Sequence, residues 1–518
     1  MQKDLCLAID LGTGGPKTAF VSLSGDIVAW DHQEVETTLD SSGKATQDTH
    51  QWMQKIKTSI NNLAKEDPSL ITRTFVITFT GQWGSTVPVN KEGEPVGDCI
   101  LWMDTRGHKY SSKVMGTKSL FNIEGYKPLK VLKFLLKTAG APSLEGNDPL
   151  GHFLLLKNEM PEIFEKTQYL LEPVDYLALK FGGKVFATAP SMILSWLINI
   201  KKLQEPTYDK TLLKLSQRDP SKLPPLRVFN EVVGTIAPEI QSLGFDPDTK
   251  VTTGCPDLLS AAAGSGNIND FEPHMAISTT SWISCHVPFK KTDPFRQIAT
   301  VPGCFTGKYL LANNHDTAGI CLTWFKDKIL SDLKSTSYSE LDNIASSVAP
   351  GSNGIIFAPW LNGERCPVYD RRLRASFINV SLNTTLNDLL RATLEGVAYN
   401  ARWMLDAVEH MLKRKLGPIR TIGGGAKSAL WCQIHADVLN RKIEQVKDPL
   451  LANVKGAAIL AFLATGSISK SEIKNLVEIN EVFKPNKEKN EIYEKNYSVF
   501  KKLYKSQKGF YHYLNSSY

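Results

Sequence analysis

The chain has 518 residues, 42% of them hydrophobic and 22% charged, with a formal net charge of +7 at pH 7. This length exceeds what one hydrophobic core usually organises, so two domains are expected. The modest charge speaks against a nucleic-acid-binding class, and the apolar runs are too short for a membrane span. The eight cysteines form no Cys-x-x-Cys pair, which favours a reducing, cytoplasmic compartment.

The first predicted element is an apolar strand over residues 5–9, which ends at Asp10 and opens into the turn 12–15, Gly-Thr-Gly-Gly. The glycine N–H groups and the Thr13 hydroxyl can surround a phosphate. A carboxylate beside that phosphate requires a bridging cation. The turn therefore suggests ATP with Mg²⁺, and Asp10 is the candidate metal-associated residue. A plain β-hairpin turn is the alternative.

The first half then alternates between strands and helices. We predict a helix over 49–65, a mostly helical stretch over 150–205, and strands over 18–23, 27–30, 74–80 and 98–103. Two of these strands end in polar and aromatic side chains, Gln82 and Trp83 in one case and Trp102 and Asp104 in the other. An aromatic wall beside polar groups suits a polyol. The alternative is a core tryptophan with a surface Asp104–Arg106 pair.

The middle of the chain carries a second candidate acid. A strand over 250–253 is followed by Gly254, and Asp257 then precedes a helix of small residues. A carboxylate at that position, in a cleft between two halves, could accept a proton from a substrate hydroxyl. The alternative is that Asp257 is the N-cap of the helix.

The second half repeats the alternation, which argues for α/β domains. Strands are predicted over 275–278, 308–312, 354–358 and 420–422, and a long amphipathic helix over 387–413. The strand over 275–278 opens into a second hydroxyl-rich turn, Thr279-Thr280-Ser281. Its loose similarity to the first turn hints at a duplicated architecture with a nucleotide between the halves.

A glycine-rich segment, Gly423-Gly424-Gly425-Ala426-Lys427-Ser428, follows the last of these strands. It would let a nucleotide base or α-phosphate lie on the backbone at a helix start. A tight strand–helix connection is the alternative. No Gly-x4-Gly-Lys-[Ser/Thr] sequence occurs, which disfavours a P-loop NTPase, and the histidines show no zinc-site spacing.

Taken in order, these segments resemble the FGGY carbohydrate kinases, most closely the xylulokinase branch. The resemblance spans residues 5–465 and also includes the segments 100–106, 173–177, 361–367, 394–396 and 456–458. It implies two actin-like (RNase H-like) ATPase domains with an interdomain cleft. The implied domains are residues 1–248, residues 249–480 and a Lys-rich helical tail over 481–518.

The resemblance implies ATP-dependent phosphorylation of a sugar hydroxyl, with a pentulose such as D-xylulose as the favoured substrate. Asp257 would be the catalytic base and Asp10 the Mg²⁺-associated carboxylate. The implied cofactor-binding residues are Asp10, Gly12, Thr13, Gly14, Lys17, Thr280, Gly424, Gly425, Ala426 and Ser428. The implied sugar-binding residues are Gln82, Trp83, Trp102, Asp104 and Asp257. The resemblance also suggests a homodimer.

Three departures from the family pattern leave the acceptor and the activity open. The second phosphate turn ends in Trp282 and lacks two glycines, Pro256 replaces a glycine before Asp257, and the segment 82–85 lacks the histidine of xylulokinases. Ribulose, gluconate or glycerol could therefore be the acceptor. A non-catalytic sugar-binding regulator on the same fold and an actin- or Hsp70-like ATPase are the two competing interpretations.

Overall fold

The computed structural model describes residues 3–119, 121–330 and 336–516. The strands in these residues are β1 Leu5–Gly12, β2 Gly15–Ser22, β3 Ile27–His32, β4 Thr38–Leu39, β5 Ala45–Gln47, β6 Thr74–Gly81, β7 Val87–Val89, β8 Cys99–Ile100, β9 Tyr169–Leu171, β10 Ala187–Thr188, β11 Leu226–Arg227, β12 Val232–Thr235, β13 Lys250–Thr252, β14 Cys255–Pro256, β15 His274–Ile277, β16 Ser281–Ser284, β17 His286–Val287, β18 Thr292–Asp293, β19 Ile298–Pro302, β20 Tyr309–Ala312, β21 Ile356–Ala358, β22 Ser376–Ile378, β23 Ile419–Ile422, β24 Ile443–Val446 and β25 Ile479–Phe483. The α-helices are α1 Thr49–Glu66, α2 Ser69–Arg73, α3 His108–Met115, α4 Pro128–Lys137, α5 Pro149–Glu159, α6 Pro161–Lys166, α7 Pro173–Gly182, α8 Lys210–Ser216, α9 Pro238–Gln241, α10 Asp257–Ser265, α11 Gly319–Trp324, α12 Tyr338–Ser346, α13 Leu386–Leu412, α14 Ala429–Leu439, α15 Ala452–Ala464 and α16 Lys487–Leu514.

The first half is organised around a mixed sheet in the order β12-β13-β6-β1-β2-β3, with β14 also paired to β6. Strand β1 runs antiparallel to β2 and parallel to β6. The apolar run at the N-terminus lies in β1, between its two neighbours, and its residues Leu5 to Ile9 are fully buried. The predicted opening strand is therefore the centre of this sheet.

The second half contains a sheet in the order β16-β15-β23-β24-β25. Strand β15 runs antiparallel to β16 and parallel to β23. This arrangement repeats that of β2, β1 and β6 in the first sheet. The internal repetition predicted from two similar turns is thus a repetition of a hairpin beside a parallel strand, and the α/β prediction is confirmed.

Two helices of small residues join the halves. Helix α10 packs against α15, and α15 also lies on β1 and β6 of the first sheet. A Cβ atom on Gly264 would lie 1.8 Å from the Ala452 carbonyl oxygen, and one on Gly456 would lie 1.8 Å from the Ser260 oxygen. The backbones of the two helices are in contact at these glycines, which explains the small residues predicted to pack closely after Asp257.

The predicted domain boundary at residue 248 falls before two strands that belong to the first sheet. Strands β13 and β14 both pair with β6, so we propose that the first domain continues into α10. The C-terminal tail forms α16, which packs on α13 and α14. Its Tyr493, Tyr497 and Phe500 are buried in the hydrophobic core of the second half.

Two sequence predictions overstated regular structure. The strand predicted over 98–103 is only β8, because the chain turns where the Asp104 amide donates to the Leu101 carbonyl at 2.9 Å. The stretch 150–205 contains α5, α6 and α7 but also short strands and irregular segments, since prolines at 161 and 173 each begin a new helix. The helices predicted over 49–65 and 387–413 are α1 and α13. No helix among the described residues is long and apolar enough to cross a bilayer.

Candidate active site

The end of strand β6 brings the two candidate acids together. Asp10 in β1 lies opposite Thr80 of β6, and Pro256 of β14 lies opposite Gly81, the next residue of β6. Asp257 follows Pro256 as the first residue of α10. Both aspartates therefore flank the same strand end, although they lie 247 positions apart in the sequence.

The electrostatics of Asp257 support this proximity. Burial raises the pKa of Asp257 to about 7, and the negative charge of Asp10 contributes to the increase, while the Leu258 amide and Lys17 oppose it. Asp10 itself is 5% exposed, and Lys17 Nζ lies 3.4 Å from its Oδ2. The site thus brings together two carboxylates and one ammonium group.

The structure argues against the N-cap alternative for Asp257. Pro256 occupies the N-cap position of α10, and no side chain caps this helix. Asp257 lies inside the first turn, where the positive end of the helix dipole favours a carboxylate. Asp257 is partly buried, and the residues on either side of it in the chain are buried.

The first turn connects β1 and β2 between the paired residues Gly12 and Gly15. Gly15 has φ +130°, and a Cβ there would lie 2.0 Å from the Gln33 carbonyl oxygen. The Thr13 carbonyl accepts a hydrogen bond from Gln47 Nε2 at 2.7 Å. Gly14, at the tip, is exposed. Contacts with Gln33 and Gln47 therefore hold the turn in place, while Gly14 at its tip remains exposed.

The second turn, residues 278–280, joins β15 and β16 in the corresponding place of the second sheet. The Ser278 amide donates to the Thr280 carbonyl at 3.0 Å, and the Gly319 amide donates to the Ser278 carbonyl at 2.7 Å. Gly423 packs directly against this turn, because a Cβ on Gly423 would be 2.5 Å from Ser278 Oγ. Thr280 is partly exposed, as a phosphate-contacting residue must be.

The glycine-rich segment forms a 3₁₀ turn over Gly424–Lys427 before α14. Gly424 is exposed and Gly425 is partly buried, whereas Ala426 is fully buried. The Ala426 carbonyl accepts from Gln445 Nε2 at 2.6 Å. Ser428 caps α14 by accepting from the Trp431 amide at 2.9 Å. Gly424 and Gly425 are therefore available to a ligand, and Ala426 acts only as support.

The predicted sugar wall lies beside the first turn. The Gln82 amide donates to the Leu11 carbonyl at 2.9 Å, which continues the pairing of β6 with β1. Trp102 Nε1 donates to Thr13 Oγ1 at 3.2 Å. Trp83 is held by a different segment of the chain, because its Nε1 donates to the Ser191 carbonyl at 2.8 Å. The structure thus brings Gln82 and Trp102 to the turn that follows Asp10.

Asp104 differs from the other predicted sugar-binding residues. Its side chain is fully buried, and both oxygens are engaged by Arg106, with Nη2 at 2.7 Å from Oδ2. Oδ2 also accepts from the Ala45 amide at 2.9 Å. Because the carboxylate is buried and both of its oxygens already accept hydrogen bonds, Asp104 is not accessible to a substrate. The Asp104–Arg106 pair that was the alternative interpretation exists, but its carboxylate is enclosed and holds the Trp102 loop.

Gln47 is a residue of the site that sequence reasoning missed. It is buried in β5, donates to the Thr13 carbonyl and accepts from Trp52 Nε1 at 3.0 Å. Gln82 Nε2 lies 3.4 Å from its Oε1. Gln47 therefore couples the phosphate turn to the sugar wall. No local pattern signals it, because its partners are distant in sequence.

A magnesium ion fits this donor set only as a phosphate-bound ion. No cluster of three or more His, Cys, Asp or Glu side chains that could hold a metal occurs among residues 3–119, 121–330 and 336–516. Mg²⁺ commonly binds through one or two carboxylates together with substrate phosphates and water. Asp10 supplies such a carboxylate, at the same end of β6 as Asp257.

Comparison with known proteins identifies the family. Residues 5–264 match the N-terminal domain of the FGGY family of carbohydrate kinases, and residues 278–465 match its C-terminal domain. The chain belongs to this family. The first matched region ends within α10 and contains β13, β14 and Asp257, and the second begins directly after β15.

Similar proteins include several kinases. The chain is 28% identical over 517 residues to the xylulose kinase of Staphylococcus epidermidis, covering 98% of each chain. It is 25% identical over 471 residues to the gluconokinase of Bacillus subtilis, covering 89% of this chain and 88% of the relative. The crystal structure of ligand-bound xylulose kinase from Lactobacillus acidophilus superposes with a TM-score of 0.85 at 23% identity, covering 99% of this chain and 100% of that one. The shared fold extends over the whole chain.

Proposed function

We propose that this kinase transfers the terminal phosphoryl group of ATP to a hydroxyl of a sugar, and that the sugar is D-xylulose. The observation that carries the proposal is the position of Asp257 at the end of β6, next to Asp10 and across from the first turn. Family membership supports the reaction, and full-length similarity to a xylulose kinase supports the substrate.

In the proposed mechanism, Asp257 orients the acceptor hydroxyl and accepts its proton. Its pKa of about 7 suits this role, because a general base is most effective when its pKa lies near the working pH. The transition state of phosphoryl transfer is loose, so positioning and charge neutralisation supply most of the catalysis. Asp257 then acts late, as the attacking oxygen becomes acidic.

Asp10, Lys17 and the two turns hold the phosphates in this proposal. Asp10 would hold a Mg²⁺ ion, which neutralises phosphate charge when bound. The amides around Gly12, Thr13 and Gly14 would bind phosphate oxygens, with Thr280 facing them from the second half and Gly424 and Gly425 lying beside the nucleotide. Because the two turns come from different sheets, approach of the two halves would exclude water that could otherwise accept the phosphoryl group.

The acceptor is the finer part of the proposal. The segment Gln82-Trp83-Gly84-Ser85 has no histidine where xylulokinases carry one, and a gluconokinase is also similar over most of the chain. Gluconate is therefore the second candidate. We also place the enzyme in the cytoplasm, since all eight cysteines are unpaired and buried.

A substrate panel tests the proposal. Purified protein with MgATP is incubated with D-xylulose, D-ribulose, gluconate and glycerol, and ADP and phosphorylated product are both measured. We expect sugar-dependent ADP release with D-xylulose giving the highest kcat/KM. Binding of a sugar without ADP release would instead favour a non-catalytic regulator, and ADP release independent of sugar would favour an ATPase of another kind.

A further inference from the structure

Two buried carboxyl groups lie behind the sugar wall and take no part in the mechanism above. Glu172 precedes α7, and Asp175 lies in its first turn, three residues later. Glu172 is 2% exposed and Asp175 is fully buried. Buried acids are rare unless they are paired, so this pair requires an explanation.

Glu172 is bonded to the backbone of the sugar loop, residues 82–85. Its Oε2 accepts a hydrogen bond from the Gly84 amide at 3.0 Å. Gly84 has φ +82°, a conformation that depends on glycine and on being held. The hydroxyl of Ser85, the next residue, accepts a hydrogen bond from the Trp102 amide at 3.1 Å. The same hydroxyl lies 3.4 Å from Gln82 Oε1. One contact of Glu172 therefore supports both parts of the wall.

Asp175 lies near Ser191, the residue that holds Trp83 of the same wall. Among the residues that the structure describes, neither of its oxygens has a hydrogen-bond partner, although the nearby Ser191 hydroxyl opposes the rise in its pKa. The carbonyl of Ser191 accepts Trp83 Nε1. The two acids are thus placed behind two consecutive residues of the loop, Trp83 and Gly84.

Burial disfavours the charged form of both acids. Burial raises the pKa of Glu172 well above its usual value, with Asp175 adding to the effect. Burial likewise raises the pKa of Asp175. No lysine or arginine contributes to either shift. A neutral carboxylic acid keeps a carbonyl oxygen as an acceptor, which is the group that the Gly84 amide needs.

We propose that Glu172 is a positioning residue of the sugar site, a buried acid that accepts a hydrogen bond from the Gly84 amide and thereby sets the orientation of Gln82, Trp83 and Trp102 toward the sugar. Asp175 supports it from the same helical turn. The inference rests on the proposed function, because it assigns this wall to the acceptor sugar. It predicts that loss of Glu172 impairs sugar binding and leaves ATP binding intact.

The test compares Glu172→Ala with Glu172→Gln. Removing the acceptor leaves a buried amide unpaired, so we expect Glu172→Ala to raise KM for the sugar about tenfold or more while KM for ATP changes less than about twofold. Glutamine is neutral and of the same shape, and its amide oxygen can accept from Gly84. Glu172→Gln should therefore keep KM for the sugar within about threefold of wild type.

A matched control separates positioning from general stability. Glu395 is also fully buried but pairs with Arg391 in the second half, so Glu395→Gln should lower Tm without changing the ratio of the two KM values. An unchanged sugar KM in Glu172→Ala would overturn the inference. So would equal increases of both KM values, or a Glu172→Gln variant as impaired as Glu172→Ala. Absence of sugar-dependent ADP release in the wild type would overturn the proposed function instead, and sugar titration by calorimetry would then still measure the effect of Glu172.

Discussion

The two hairpins at the centres of the two sheets have the same topology but different chemistry. The first, β1–β2, ends next to an acid and turns through residues that leave Gly14 exposed at the tip. The second, β15–β16, has no acid in its turn and is enclosed by the backbones of residues 318–319 and by Gly423. The two halves repeat the same hairpin beside a parallel strand, while the two candidate acids lie only at the first.

This contrast assigns charge handling to the first half. Asp10 and Asp257 both flank β6, so the proposed proton acceptor and the proposed cation ligand lie at the same strand end. The second turn, in contrast, offers backbone amides and hydroxyls. Substitutions in the first half should therefore affect the chemical step strongly, and those in the second half should affect nucleotide affinity and stability.

The largest effect is expected from Asp257→Asn. The amide cannot accept the proton but preserves shape, so kcat should fall about 10² to 10⁴-fold, while the Kd for the sugar from calorimetry stays close to wild type. Turnover within a few-fold of wild type would remove Asp257 as the base and with it the asymmetry between the halves.

The next prediction compares the turns directly. Asp10→Asn should lower kcat/KM for ATP by about 10²-fold, because it removes the carboxylate that would hold the cation at the phosphates. Thr280→Ala should lower kcat/KM for ATP by less than about tenfold, since the remaining contacts of the second turn come from the backbone. Steady-state kinetics with varied MgATP measure both. Equal losses would show that the turns share the charge-handling role.

A glycine substitution tests how tightly the second turn is enclosed. Gly423→Ala would place a Cβ 2.7 Å from the Ile277 carbonyl oxygen at φ +91°, so we expect a loss of about 1–3 kcal/mol in the free energy of unfolding. The control is Gly417→Ala, where nothing lies within 4 Å of the added carbon. Denaturant unfolding should separate the two variants; similar values for both would mean that the second turn is loosely held.

The smallest expected effect is a shift in the pH profile. Asp257 must be ionised to act as a base, so kcat/KM for the sugar should fall as pH drops through the pKa of about 7. Asp10→Asn removes the neighbouring negative charge that helps to raise this pKa. The acidic limb of the variant should therefore move to lower pH. A limb that does not move, or moves upward, would mean that the two acids do not interact.

Much of this arrangement was predictable because it depends on local pattern. The strand before Asp10, the strand and small-residue helix around Asp257, and the repeated hairpin each have a short sequence signature. The burial of Asp104 had none, since it depends on the distant Ala45 amide. Gln47 and Glu172 were missed for the same reason: their partners, Thr13 and Gly84, lie 34 and 88 positions away. The strand predicted over 98–103 failed where one backbone hydrogen bond turns the chain.

The most direct test follows the γ-phosphoryl group itself. Wild-type enzyme is mixed with γ-labelled MgATP and D-xylulose in a single turnover, and labelled sugar phosphate is measured alongside inorganic phosphate, with Asp257→Asn run in parallel. The account predicts that the label appears in sugar phosphate, in a one-to-one ratio with ADP, in the wild type and not in the variant on the same timescale. Label released as inorganic phosphate, or transferred equally by Asp257→Asn, would contradict it.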